Sequence, residues 1–138
     1  MNLLITENFE VTQKAGREFA ETLKNGGIVA LHGDLGSGKT TFVQGIAKGL
    51  GIEKQIISPT FIIMRTYVLG DKNIYHIDLY RIESEKDIAG LGLVDLFQDS
   101  SNILLIEWPD KIEHLLPEKR IDIYFEYLGD DKRKITYG

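Results

Sequence analysis

The chain has 138 residues, 43% of them apolar, which is enough for one domain spanning 1–138 with a buried core. Its formal net charge of −5 opposes a broad electrostatic grip on nucleic acid, and the absence of cysteine excludes disulfides and thiolate metal sites. No apolar run approaches the ~20 residues of a membrane span, and the stretch from Met1 to Glu7 has none of the features of a signal peptide.

Leu3 to Ile5 reads as a short edge strand. Thr12 reads as the N-cap of a helix running to about Lys24, with Phe19, Ala20 and Leu23 turned inward. Asn25-Gly26-Gly27 ends it. Gly27 to His32 is then an apolar run with the character of a buried strand. Gly33-Asp34-Leu35-Gly36-Ser37-Gly38-Lys39-Thr40 follows and matches G-x-x-x-x-G-K-[ST], the phosphate-binding P-loop. Lys39 to Leu50 carries Phe42, Val43, Ile46, Ala47 and Leu50 at helical spacing. Strand, glycine loop and helix come in the order the motif requires.

Ser58-Pro59-Thr60-Phe61 cannot be helical, because Pro59 biases Ser58 towards extended geometry. Phe61 to Leu69 and Asn73 to Tyr80 are rich in β-branched and aromatic residues around Gly70-Asp71-Lys72, which predicts a hairpin. His76, Asp78 and Tyr80 share one face of its second strand. Ser84-Glu85-Lys86-Asp87 has the form of a capping box, opening a helix to about Phe97 that Gly90 and Gly92 weaken. Ile103 to Ile106 is a continuous apolar run ending at Glu107, the pattern of a buried parallel strand. A short helix covers roughly Asp110 to Leu116. Arg120 to Leu128 alternates, and Gly129-Asp130-Asp131 turns it into a last strand near Arg133 to Tyr137. The expected fold is α/β: a P-loop NTPase-like domain with a mixed, mostly parallel central sheet, flanking helices and β-hairpins.

The chemistry begins at the loop. Its glycines permit inward-pointing N–H groups that wrap an anion, and the helix behind adds a favourable partial charge. Gly36, Ser37, Gly38, Lys39, Thr40 and Thr41 form the expected phosphate cradle of a nucleotide. Lys39 reaches the outer phosphates, and the Thr40 hydroxyl is a Mg²⁺ ligand. Glu107 stands at a strand end, where a carboxylate holds Mg²⁺ directly or through water. On pattern alone, Asp78 reads as part of an exposed hairpin face. Its other reading is a second acid near the γ-phosphate. Arg65 and Arg81 are candidate charge stabilisers, although a salt bridge is the commoner use of each. His32 and His76 read as packed or capping residues, and Trp108 beside Glu107 is a candidate nucleotide-responsive group.

Four motifs in one short chain, Gly-Asp-Leu-Gly-Ser-Gly-Lys-Thr-Thr, Ser-Pro-Thr-Phe, His-Ile-Asp-Leu-Tyr-Arg and Ile-Glu-Trp-Pro, resemble the TsaE (formerly YjeE) family of bacterial threonylcarbamoyladenosine biosynthesis ATPases. The resemblance runs from about Thr12 to Pro109. It implies a cytoplasmic ATPase working with TsaB and TsaD on tRNA modification, touching tRNA only through that complex. It implies Lys39, Asp78 and Glu107 as catalytic residues, Thr40 and Glu107 as Mg²⁺ ligands, Thr60 as a switch residue and Thr12 as a nucleotide contact. Two other readings of the loop are a small-molecule or nucleoside kinase and a nucleotide-gated binding module. The chain offers no obvious acceptor pocket or arginine-bearing lid for the kinase. It also has no Asn-Lys-x-Asp motif for reading guanine.

Overall fold

The computed structural model describes residues 2–53 and 63–138. Among these residues seven strands form one sheet: β1 (Asn2–Thr6), β2 (Gly27–His32), β3 (Met64–Leu69), β4 (Lys72–Asp78), β5 (Ile103–Glu107), β6 (Ile121–Gly129) and β7 (Lys132–Tyr137). Their spatial order is β1-β7-β6-β2-β5-β4-β3. The central strands β6, β2, β5 and β4 are mutually parallel. Antiparallel hairpins finish both sides, β3–β4 on one and β6–β7 with β1 on the other. The β6–β7 turn places Asp130 and Asp131 at φ 52° and 63°, the two left-handed positions of a type I′ turn.

All five residues of β5 are buried, which is why Ile103 to Ile106 carries no polar alternation. Leu105 of β5 and Val29 and Leu31 of β2 pack on one face against helices α1 (Phe9–Phe19) and α2 (Lys39–Leu50). Leu104 and Ile106 face the opposite core with Ile77, Leu79, Ile88, Leu93 and Ile112. The two helices approach closely because glycine lines their seam. A Cβ on Gly45 would fall 2.0 Å from the Gln13 carbonyl oxygen, and one on Gly16 would fall 2.2 Å from that of Phe42. This contact sets where the α2 N-terminus, and therefore the glycine loop, sits above the sheet.

Five expectations need correction. Helix α1 starts earlier than Thr12: Asn8 is extended and its side chain accepts the Val11 N–H at 2.9 Å, so Asn8 is the N-cap. The helix is α only to Phe19 and continues as a 3₁₀ turn over Ala20–Leu23. The helix expected after Ser84 is two short pieces, α3 (Glu85–Ala89) and α4 (Leu93–Gln98). Gly92 stands between them at φ 67°, a conformation no helix interior tolerates. The Ser84 side chain makes no capping bond, and the Asp87 carboxylate accepts instead from the Glu83 N–H at 3.4 Å. After β5, Pro109–Leu115 is 3₁₀ with a kink at Ile112 rather than α. The strand end expected at Ile56 and Ile57, and the Ser58-Pro59-Thr60-Phe61 segment, lie outside the described residues.

Candidate nucleotide-binding site

Strands β2, β4 and β5 run parallel, and their C-terminal ends open at one edge of the sheet, where ligands of such folds sit. β2 leads there into the glycine loop. In the β4–β5 register, Asp78 pairs with Glu107, so two carboxylates end neighbouring strands side by side. Leu35, Gly36, Gly38, Lys39, Thr40, Thr41, Asp78, Glu107, Trp108 and Arg133 line a cleft of about 230 Å³.

Gly38 precedes α2 at φ 108°, which favours glycine, and a Cβ there would lie 3.2 Å from Arg133 Nε. Lys39 is buried. Its Nζ donates to the Gly33 carbonyl at 2.5 Å and lies 4.0 Å from the centroid of the Trp108 ring. Burial pulls the Lys39 ammonium below its ordinary pKa, and the surrounding Glu107, Asp78, Asp34 and Asp110 charges only partly restore it. An incoming anion favours the charged form of such a partly desolvated cation.

Asp78 is 6% exposed and Glu107 3%. The hairpin face carrying His76 and Asp78 is thus covered, and the reading of an exposed face is overturned. α2 and its loop lie over that face of β4, whose Ile74 joins the core beneath α2. One Asp78 oxygen, Oδ1, accepts the Tyr80 N–H at 3.0 Å. His76 Nε2 and Glu107 Oε2 are 2.7 Å apart, with both side chains buried. Trp108 takes a left-handed backbone (φ 59°, ψ 51°), a strained choice for a bulky residue, and turns its ring beneath Lys39.

Two buried polar atoms at the loop, Ser37 Oγ and Arg133 Nε, have no hydrogen-bond partner among the described residues. They suit an anion in the cradle. Thr40 hydroxyl and Glu107 carboxylate, with Asp78 adjacent, give an all-oxygen donor set suited to a hard cation. Among the described residues, no group of three or more His, Cys, Asp or Glu forms a self-sufficient metal cage.

Other residues fall elsewhere. Thr12 is buried away from the cleft lining, its hydroxyl 2.6 Å from that of Thr6 and donating to the Asn8 carbonyl. Arg65, on β3, and Arg81 do not line the cleft; the arginine that does, Arg133, was missed. Its only sequence signal was a basic residue just after a turn. His32 is a packed residue as expected, bonded to Asp122 at 2.9 Å and stacked on Tyr124. Burial raises the Asp122 carboxyl, but the His32 and Arg120 hydrogen bonds and charges outweigh it and hold the group below its usual range. No helix among the described residues is long and apolar enough to cross a membrane.

The sheet order, the loop after β2 and the strand-end carboxylates define an α/β protein of the P-loop NTPase-like class. The family model described as "Threonylcarbamoyl adenosine biosynthesis protein TsaE" matches residues 6–135. The chain belongs to the TsaE family. It is 42% identical over 132 residues to the tRNA threonylcarbamoyladenosine biosynthesis protein TsaE of Bacillus subtilis, covering 96% of this chain and 82% of that protein. The protein of the same name from Rickettsia bellii is 45% identical over 130 residues, covering 94% and 89%. The crystal structure of Bacillus subtilis YdiB superposes with a TM-score of 0.81 at 36% identity, covering 99% of this chain and 83% of that one.

Proposed function

We propose that this chain is a Mg²⁺-dependent ATPase that serves tRNA threonylcarbamoyladenosine biosynthesis in the cytoplasm, acting with TsaB and TsaD and meeting tRNA through them. The observation that carries the reading is the convergence of Lys39, Thr40, Asp78 and Glu107 on one cleft beside the glycine loop. Family membership supplies the pathway.

In this reading the loop N–H groups and the α2 N-terminus hold the phosphate chain. Lys39 exchanges the Gly33 carbonyl for phosphate oxygen, a partner that favours its charged form. Thr40 and Glu107 would hold Mg²⁺, which would neutralise phosphate charge. Asp78 orients water for attack on the γ-phosphate. Arg133 offers a second cation over the loop. Hydrolysis transfers the γ-phosphoryl group to that water and leaves ADP and inorganic phosphate.

The test is ATP binding and phosphate release by the purified chain, beside Lys39→Ala. Saturable Mg²⁺-dependent binding that Lys39→Ala abolishes is the expected result. Equal binding and turnover by both proteins contradicts the site. Phosphate passed to an added nucleoside instead of water identifies a kinase.

A further inference from the structure

His76 has no place in the phosphate chemistry just described, yet it is among the most buried polar residues of the chain, 1% exposed. It lies two residues before Asp78 on β4, on the same face of the sheet, and does not line the cleft. Its Nε2 is 2.7 Å from Glu107 Oε2, and its Nδ1 has no hydrogen-bond partner among the described residues. Among the described residues the ring therefore makes one polar contact, to the strand-end carboxylate. Leaving a buried ring nitrogen unpaired is costly, and an apolar residue would fill the same space without that cost. With Nδ1 unpaired, the tautomer that fits is the one carrying its proton on Nε2 and donating it to the carboxylate.

We propose that His76 is a positioning residue that fixes the Glu107 carboxylate for Mg²⁺ binding, one oxygen tied to the imidazole and the other left for the cation. The proposal rests on the reading of Glu107 as a Mg²⁺ ligand. Glutamate has three rotatable side-chain bonds, one more than the aspartate commonly found at such a strand end, so its head needs a tether. An imidazole N–H donor supplies one. Partners of this kind orient metal-binding side chains and raise their basicity. The register explains the reach: β4 and β5 are parallel neighbours with Asp78 opposite Glu107, which sets the His76 ring behind the carboxylate.

The experiment is ATP binding at graded Mg²⁺, measured by calorimetry in His76→Phe, His76→Asn, His76→Gln and Glu107→Ala proteins whose folding is confirmed by circular dichroism. His76→Phe and His76→Asn are expected to raise the half-saturating Mg²⁺ concentration ~10- to 100-fold, with ATP affinity in the absence of Mg²⁺ unchanged within about twofold. His76→Gln, whose amide reaches the Nε2 position, recovers most of the loss. Asparagine is too short to reach and remains soluble in a polar niche, so His76→Asn decides the matter if His76→Phe does not fold. A folded His76→Asn protein with wild-type Mg²⁺ dependence overturns the proposal. So does a further shift when His76→Asn is added to Glu107→Ala, because the imidazole would then act independently of the carboxylate. Wild-type Mg²⁺ dependence in Glu107→Ala itself defeats the ligand reading, and this proposal with it.

Discussion

The Lys39 ammonium rests between the Gly33 carbonyl, 2.5 Å away, and the face of the Trp108 ring, 4.0 Å from its centroid. In the proposed reading phosphate oxygen would displace both contacts, since an anion is the stronger partner of a partly desolvated cation. Trp108 is the one tryptophan of the chain, so its emission reports on that exchange. Titration with Mg-ATP is expected to change the emission saturably. Lys39→Ala loses at least ~100-fold in affinity, about 2.7 kcal/mol. An emission that ignores ATP while calorimetry records binding would separate Trp108 from the loop.

Burial lowers the Lys39 pKa in the folded state, so between that value and the ordinary 10.5 the unfolded chain binds the extra proton. Stability therefore rises with pH across that window, and the cost of holding a buried ammonium is fully present below it. Lys39→Met lacks this increment. Its denaturation free energy, compared with wild type at several pH values, should hold a constant difference near neutrality. The difference should then move in favour of wild type as pH approaches 10.5. A flat difference throughout would mean that the ammonium is solvated.

Asp78 ends β4 beside Glu107, with one oxygen committed to the Tyr80 N–H. Asp78→Asn keeps the shape and removes the charge and the basic oxygen. Hydrolysis is expected to slow ~100-fold, the scale of a lost general base, with ATP affinity little changed. Single-turnover phosphate release separates the two effects, and an unchanged rate assigns Asp78 a purely structural place.

Arg133 leans on the Tyr127 ring at 4.3 Å and against the loop at Gly38, with Nε buried and unpartnered. Arg133→Ala should weaken ATP binding ~10-fold, about 1.4 kcal/mol, without altering the Mg²⁺ requirement. Equal affinity would show that the guanidinium only packs.

The α1–α2 seam has its own test. Gly45→Ala drives a methyl into the Gln13 carbonyl, so the helices must separate. The expected loss is about 2 kcal/mol in urea denaturation, offset only slightly by alanine's better helix propensity. Wild-type stability would mean that the seam yields easily.

The elements that were legible are those whose signal is local. β2, the loop and α2 carry an apolar run, a glycine pattern and a helical stripe in sequence, and their ends fall where expected. β5 was legible because a strand buried on both faces has no polar residue before its end. What escaped depends on distant packing. His76 and Asp78 look like a solvated hairpin face until α2 is laid over it. Arg133 is 94 positions beyond Lys39 and comes to the loop only because the β6–β7 hairpin returns along β6 beside β2. The start of α1 was misplaced because Thr12 and Asn8 are both good caps, and the side chain of Asn8 holds the first turn. Thr12 instead turns its hydroxyl to Thr6.

The most direct measurement is multiple-turnover threonylcarbamoylation of tRNA reconstituted with TsaB, TsaD, ATP and Mg²⁺, with and without this chain. The account predicts sustained turnover only when the chain is present, and its collapse when Lys39→Ala replaces wild type. Equal turnover in the absence of the chain, or with Lys39→Ala in its place, would contradict it.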